Sequence, residues 1–275
     1  MSDTKEKMSS AAKKKGEPKK FLRTPIKGTK YTIMVSSAKG GVGKSTFAVN
    51  LAFALKNLDK KVGILDADIF GPSLPKLIGK NIKPQTENGK AMVPVDSHGI
   101  QCISMGFLVE ETTPMIWRGP MVISAIKTLT EKVLWNGLDY IIVDMPPGTG
   151  DTQLTFAQDI MVDGAIIVST PQDMALLDVK RGIQMFEKTK INIIGLVDNM
   201  SYFKGDDGKD YKIFGEGGVE KTAKEFNKEF LGKIPLHQDL RIASDKGQPL
   251  TNSSPGHEVS LLFKNIAKKI IKKFI

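Results

Sequence analysis

The chain has 275 residues, 40% hydrophobic and 25% charged, the proportions of a globular protein with one large core. No run approaches the roughly 18 apolar residues of a membrane span, which excludes an integral membrane protein. A single cysteine, Cys102, excludes an intrachain disulfide and sets a cytoplasmic address as the expectation.

The formal net charge is +10, but +7 of it falls in residues 1–30, where ten Lys and Arg face three acids. The +3 left for the body gives no strong nucleic-acid signal. Residues 1–30 lack the apolar stretch of a secretory signal and read as a basic, disordered tail, which solubilises the protein or meets a transient acidic partner. Residues 31–275 read as one domain.

From Tyr31 on, short apolar runs alternate with helical patterns. Residues 31–37, 61–66, 140–144, 165–169 and 191–197 are mostly continuous apolar, as strands buried on both faces are. Phe47, Ala48, Leu51, Ala52 and Leu55 fall at helical spacing, as do Val122, Ile126, Leu129 and Val133. The pattern predicts an α/β fold: a doubly wound, mostly parallel sheet with helices on both faces. Residues 91–95 and 100–104 flank the turn signal Asp96-Ser-His-Gly99 and predict a hairpin or antiparallel edge. The last stretch, from Leu261 to Ile275, is a basic amphipathic helix. It suits either packing on the domain with its lysines outward or attachment to a membrane surface.

Between the first strand and first helix stands Ala38-Lys-Gly-Gly-Val-Gly-Lys-Ser-Thr46. A Gly-rich loop that opens a helix aims backbone amides at phosphate oxygens, so Gly40, Gly41, Val42, Gly43, Lys44, Ser45 and Thr46 are candidate nucleotide-binding residues. Lys44 reaches the terminal phosphates, and Ser45 ligates Mg²⁺. Lys39 is one lysine more than such a loop needs. Asp66 and Asp68 end the second strand and Asp144 ends the strand Ile141-Ile-Val-Asp144, three carboxylates on the edge where ligands of open α/β sheets collect.

The loop fits K-G-G-x-G-K-[ST], and this variant resembles the deviant Walker A P-loop ATPases, among them MinD, ParA, nitrogenase iron protein and the Mrp-type carriers. The resemblance implies a homodimer that sandwiches two ATP molecules, Lys39 acting across the interface in the manner of an arginine finger. It also implies that Asp68 positions the attacking water, that Asp66 and Asp144 serve the Mg²⁺ shell, and that Asn199 reads the purine edge. Asp66-Ala-Asp-Ile-Phe-Gly-Pro-Ser-Leu-Pro75, Asp144-Met-Pro-Pro-Gly-Thr-Gly-Asp151, Asn199-Met-Ser-Tyr-Phe203 and Phe214-Gly-Glu-Gly-Gly218 are similar to the signatures of the Mrp family, the ATPases described as iron–sulfur cluster carriers. Pro146, Pro147, Gly148, Thr149, Gly150 and Asp151 make a candidate nucleotide switch, two prolines stiffening a segment that two glycines let hinge.

The chain departs from that family at one point. Where cluster-carrying relatives place C-x-x-C, it reads Lys204-Gly-Asp-Asp-Gly-Lys-Asp-Tyr-Lys212, with no thiolate. Two chains would offer only two sulfurs, both Cys102, against the four of a shared cluster, so no iron–sulfur ligands are identifiable. Asp206, Asp207 and Asp210 are hard oxygen ligands and read as a turn; His98, His237 and His257 are scattered along the sequence. The expected function is that of an ATP-hydrolysing homodimer of iron–sulfur cluster assembly, with scaffold or recipient apoproteins as partners. The alternative is a MinD- or ParA-like positioning ATPase with nucleotide-switched membrane or DNA attachment.

Overall fold

The computed structural model describes residues 23–109 and 119–275. The strands are β1 (Thr29–Ser36), β2 (Val62–Asp66), β3 (Thr86–Glu87), β4 (Ala91–Met92), β5 (Val95–Ser97), β6 (Ile100–Ser104), β7 (Leu138–Asp144), β8 (Gly164–Ser169), β9 (Ile193–Lys204), β10 (Asp210–Tyr211) and β11 (Phe230–Leu236). The helices are α1 (Lys44–Lys56), α2 (Leu74–Leu77), α3 (Gly119–Glu131), α4 (Asp151–Asp159), α5 (Asp173–Lys188), α6 (Gly218–Glu225), α7 (Gln238–Asp245), α8 (Leu250–Ser253) and α9 (Glu258–Lys272).

One large sheet runs in the order β10-β9-β8-β1-β7-β2-β6-β5, with β11 also pairing with β9. Its pairs are parallel except β5 with β6 and β10 with β9. The apolar runs are continuous because both faces are covered, yet successive side chains still alternate between them. Ile33, Val35, Ile142 and Ile166 join α1 and α9 in one core, while Met34, Ile141, Val143 and Ile167 join α3, α4, α5 and α6 in the other. The doubly wound architecture expected from the sequence is present.

Three details differ from what the sequence predicts. The domain begins before residue 31: Thr24 pairs with Ile160 and Ile26 is buried, so only residues 1–22 of the expected tail lie outside the described residues. The hairpin is β5–β6, turning at His98 and Gly99, both with positive φ; Ala91 and Met92 pair instead with Glu87 and Thr86. The expected strand at 191–197 continues as β9 to Lys204 because β11 and β10 pair along its far half.

The basic terminal helix takes the first of its two expected placements, packed on the domain. Val259, Phe263, Ile266, Ala267 and Ile270 of α9 are buried in the core with α1, and the Phe263 ring lies 5.6 Å from that of Phe47. Its apolar face is therefore filled by the protein's own core, and this counts against the membrane attachment. No helix among the described residues is long and apolar enough to cross a membrane.

Candidate nucleotide site

The parallel order brings the carboxyl ends of β1, β2, β7 and β9 to one edge, and every expected nucleotide residue lies there. Gly43 precedes α1 with φ 78°, and no side chain caps the helix. Its first amides are therefore open to an anion. Glycine is required on two counts, since a Cβ would also collide with Asn199 Nδ2.

Lys44 is 6% exposed and its ammonium stands among three oxygens: Asp144 Oδ1 at 2.5 Å, Ser45 Oγ at 3.2 Å and Asp68 Oδ2 at 3.9 Å. A cation held by one hydroxyl and two carboxylates shows that the donor set suits a hard metal ion such as Mg²⁺. Burial pushes the Asp68 carboxyl above its ordinary value, although Lys44 pulls it back. Lys39, in contrast, is exposed, and its ammonium has no partner among the described residues.

Asp66 is placed differently from the other two aspartates. It is fully buried, and its oxygens accept from the amides of Asp68, Ser73 and Leu74 and from the Ser104 hydroxyl, at 3.0–3.2 Å. Burial, reinforced by the Asp144 charge, pushes its carboxyl up to about 7. Three of these donors meet Oδ2 and one meets Oδ1, so the side chain ties down residues 68–74. Ser104, at the end of β6, belongs to no motif in the sequence; only its register opposite Asp66 reveals it.

Asn199 also acts locally, since its Nδ2 donates to Val42 O at 2.7 Å and so fastens the phosphate loop to β9. Beside it, a cleft of about 330 Å³ extends from Gly43 and Thr46 to Met200, Pro235, Leu236 and Leu240. It adjoins a cavity of about 270 Å³ over Gly40, Gly41, Lys44, Ser45, Asp68 and Pro147. A polar phosphate cradle thus opens into a mostly apolar cleft, the two halves a nucleotide needs. Met200, which lines the apolar cleft, has φ 53°, an unusual left-handed value for its residue type.

The expected switch string closes the third side. Met145 N donates to Val35 O and Gly148 N to Ser37 O, so the segment lies along the end of β1. Gly148 has φ 96°, and Asp151 is the first residue of α4.

The remaining thiol and imidazoles do not form a cluster site. Cys102 is fully buried in the α1 core, and burial pushes its thiol well above the usual range. The Lys204–Lys212 segment closes on itself: Gly205 N donates to Lys209 O, and Asp207 accepts from Lys209 N and the Tyr211 hydroxyl. His237 and His257, distant in sequence, are brought together with ring centroids 4.9 Å apart, beside Asp239. Each Nδ1 accepts a backbone amide at a helix start, from Asp239 N and Val259 N. The ring protons therefore sit on the Nε2 atoms, 3.2 Å from Asp239 for His257 and 3.5 Å from Glu258 for His237. Metal-bound imidazoles need the reverse arrangement, an outer nitrogen that donates, so this box is a helix-start staple.

The family model described as the NUBPL iron-transfer P-loop NTPase, of the ParA type, matches residues 28–271. The iron-sulfur cluster transfer protein NUBPL of Mus musculus is 48% identical over 94% of this chain and 81% of its own length. The iron-sulfur cluster carrier protein of Escherichia coli K12 is 49% identical over 89% of this chain and 67% of its own. Among solved structures, a nucleotide-binding protein of Archaeoglobus fulgidus in complex with ADP is 38% identical, with TM-score 0.72 over 82% of this chain and 89% of that one. The cell-division ATPase MinD of Pyrococcus furiosus, 22% identical with TM-score 0.63 over 88% of this chain and 99% of that one, shares the fold. A helix start that bares its amides, two lysines of opposite exposure and this breadth of similarity agree: the chain belongs to the NUBPL iron-transfer family of ParA-type P-loop NTPases.

Proposed function

We propose that this protein binds and hydrolyses ATP as a homodimer and acts in the assembly or transfer of iron–sulfur clusters. The observation that carries the reading is the contrast between its two loop lysines: Lys44 is buried among Ser45, Asp68 and Asp144, while Lys39 is exposed and has no partner among the described residues. Lys44 and the amides at the start of α1 bind the phosphates, and the cleft beside Met200 and Leu236 takes the base. Ser45 and Asp144 would hold magnesium, which would supply charge neutralisation to the phosphates.

Asp68, freed from Lys44 once phosphates draw that ammonium away, orients the attacking water. Lys39 crosses to the partner's triphosphate and stabilises the charge that develops there. The catalytic set is then complete only in a closed dimer. The iron–sulfur cluster is cargo rather than a resident group, because one buried thiol per chain supplies no ligand set. Scaffold or recipient apoproteins are the partners, and the thiolates belong to them.

Single-site variants test the reading. Lys44→Ala loses nucleotide binding, while Lys39→Ala keeps ADP affinity and loses turnover. Wild-type turnover in Lys39→Ala would refute the role across the interface.

A further inference from the structure

The side chain of Gln153 is 1% exposed and bonded at both ends. Its Oε1 accepts from Ser36 Oγ at 3.0 Å, and its Nε2 donates to Pro146 O at 2.5 Å. Ser36 is the last residue of β1, two positions before the phosphate loop starts at Ala38, and Pro146 opens the switch string. We infer that Gln153 is the positioning residue that couples the switch string to the phosphate loop, setting where Pro147 and Gly148 stand relative to the terminal phosphate. The inference rests on the ATPase reading and deepens it.

The local chemistry supports this assignment. Gln153 lies in the first turn of α4, and helical side chains lean toward the N-terminus, which carries the amide back over the string that precedes it. Gly150, before α4, takes no side-chain cap, so the glutamine is spent on Pro146 rather than on its own helix end. Pro147 offers no N–H, and the string is otherwise held to β1 by Met145 N to Val35 O and Gly148 N to Ser37 O. Gln153 thus supplies the side-chain bridge between those two backbone bonds. It also lines a cleft of about 360 Å³ together with Asp68, Gly71 and Pro147. A buried amide whose two ends are both satisfied has one favoured placement, so a shift of the string must break or carry this link.

The test uses the full chain and two variants, Gln153→Met, which keeps the volume, and Ser36→Ala, which keeps the glutamine. ADP affinity with magnesium is read by calorimetry, ATP turnover by kcat and KM, and hydrogen exchange at Met145, Gly148 and Thr149 with ADP and with a non-hydrolysable ATP analogue. For Gln153→Met we expect ADP affinity and KM within about twofold of wild type, kcat lower by about tenfold to a hundredfold, and faster exchange at those amides. Ser36→Ala, which removes one of the two bonds, gives a smaller change in the same direction, and it alone decides the question if Gln153→Met does not fold. Wild-type kcat and exchange in both variants overturn the inference. So does a loss of ADP affinity in proportion to kcat, which marks a merely structural residue. If the wild-type protein shows no turnover, the ATPase reading fails by itself, and exchange at Met145 and Gly148 then supports or overturns the coupling.

Discussion

Lys44 Nζ lies 2.5 Å from Asp144 Oδ1, and both side chains are nearly buried. The residues come from different elements, one opening α1 and the other closing β7, yet the parallel pairing of β1 with β7 sets Asp144 beside Val35 at the entrance to the loop. On the proposed function, the pair holds the lysine until phosphates replace the carboxylate. Removing one member of a buried pair leaves an uncompensated charge, at a typical cost of about 3–5 kcal/mol. Asp68 at 3.9 Å offsets part of this, so Asp144→Ala should lower stability by about 2–3 kcal/mol. Saturating ADP should restore much of the loss, because phosphate is the substitute partner. Urea unfolding with and without ADP measures both effects, and equal midpoints for variant and wild type without nucleotide would show that the pair contributes nothing.

Asp198 gives the protein a pH dependence of defined sign. It is 1% exposed on β9, and its Oδ1 has no hydrogen-bond partner among the described residues. Burial pushes its carboxyl up to about 6, opposed by Lys233 and Lys212 and aided by Glu220. The folded state therefore binds this proton more tightly than the unfolded state, whose carboxyl titrates near its ordinary value. The contribution of Asp198 to stability is best below pH 4 and declines as pH rises to about 6, then levels off. Asp198→Asn should match wild type at pH 4 and exceed it at pH 8 by on the order of 2 kcal/mol. A variant less stable than wild type at pH 8 would show that the charge is favourable where it stands.

The cysteine count makes a chemical prediction. Cys102 is on β6 in the α1 core, its Sγ 3.6 Å from Ile100 O, with no route to a shared four-thiolate site. Anaerobic reconstitution with iron and sulfide should give the same iron content for wild type and Cys102→Ser, well below one cluster per dimer. An absorbance band and bound iron that vanish in Cys102→Ser would place the cluster on this thiol.

Much of this site is readable in the sequence because local chemistry dictates it. Gly41 and Gly43, whose positive φ only glycine adopts freely, announce the loop, and continuous apolar runs announce strands whose carboxyl ends meet at one edge. What escapes the sequence is set by register. Asp66 reads like Asp68 in the sequence, but its position opposite Ser104 and beneath Ser73 and Leu74 surrounds its Oδ2 with donors. Gln153 is one polar residue among several in its helix until folding buries it between Ser36 and Pro146. His237 and His257 are 20 positions apart and meet only because α7 and α9 start side by side.

The terminal helix is the case where composition alone points two ways, and packing energies decide it. Fifteen residues with alternating lysines suit an anionic surface, but Phe263 is 1% exposed and packs on Phe47 within the α1 core. Truncating a buried phenylalanine to alanine costs about 3–5 kcal/mol through lost transfer energy and the cavity left behind. A membrane anchor would behave oppositely, since its apolar face is exposed in the free protein and its truncation leaves the fold untouched. Phe263→Ala should therefore lower stability by about 3–4 kcal/mol and leave co-sedimentation with phosphatidylserine vesicles unchanged. Whatever binding the outward lysines produce should disappear in about 0.5 M salt in both proteins, as expected for charge without insertion. A variant that keeps its stability but loses vesicle binding would assign the helix to the membrane.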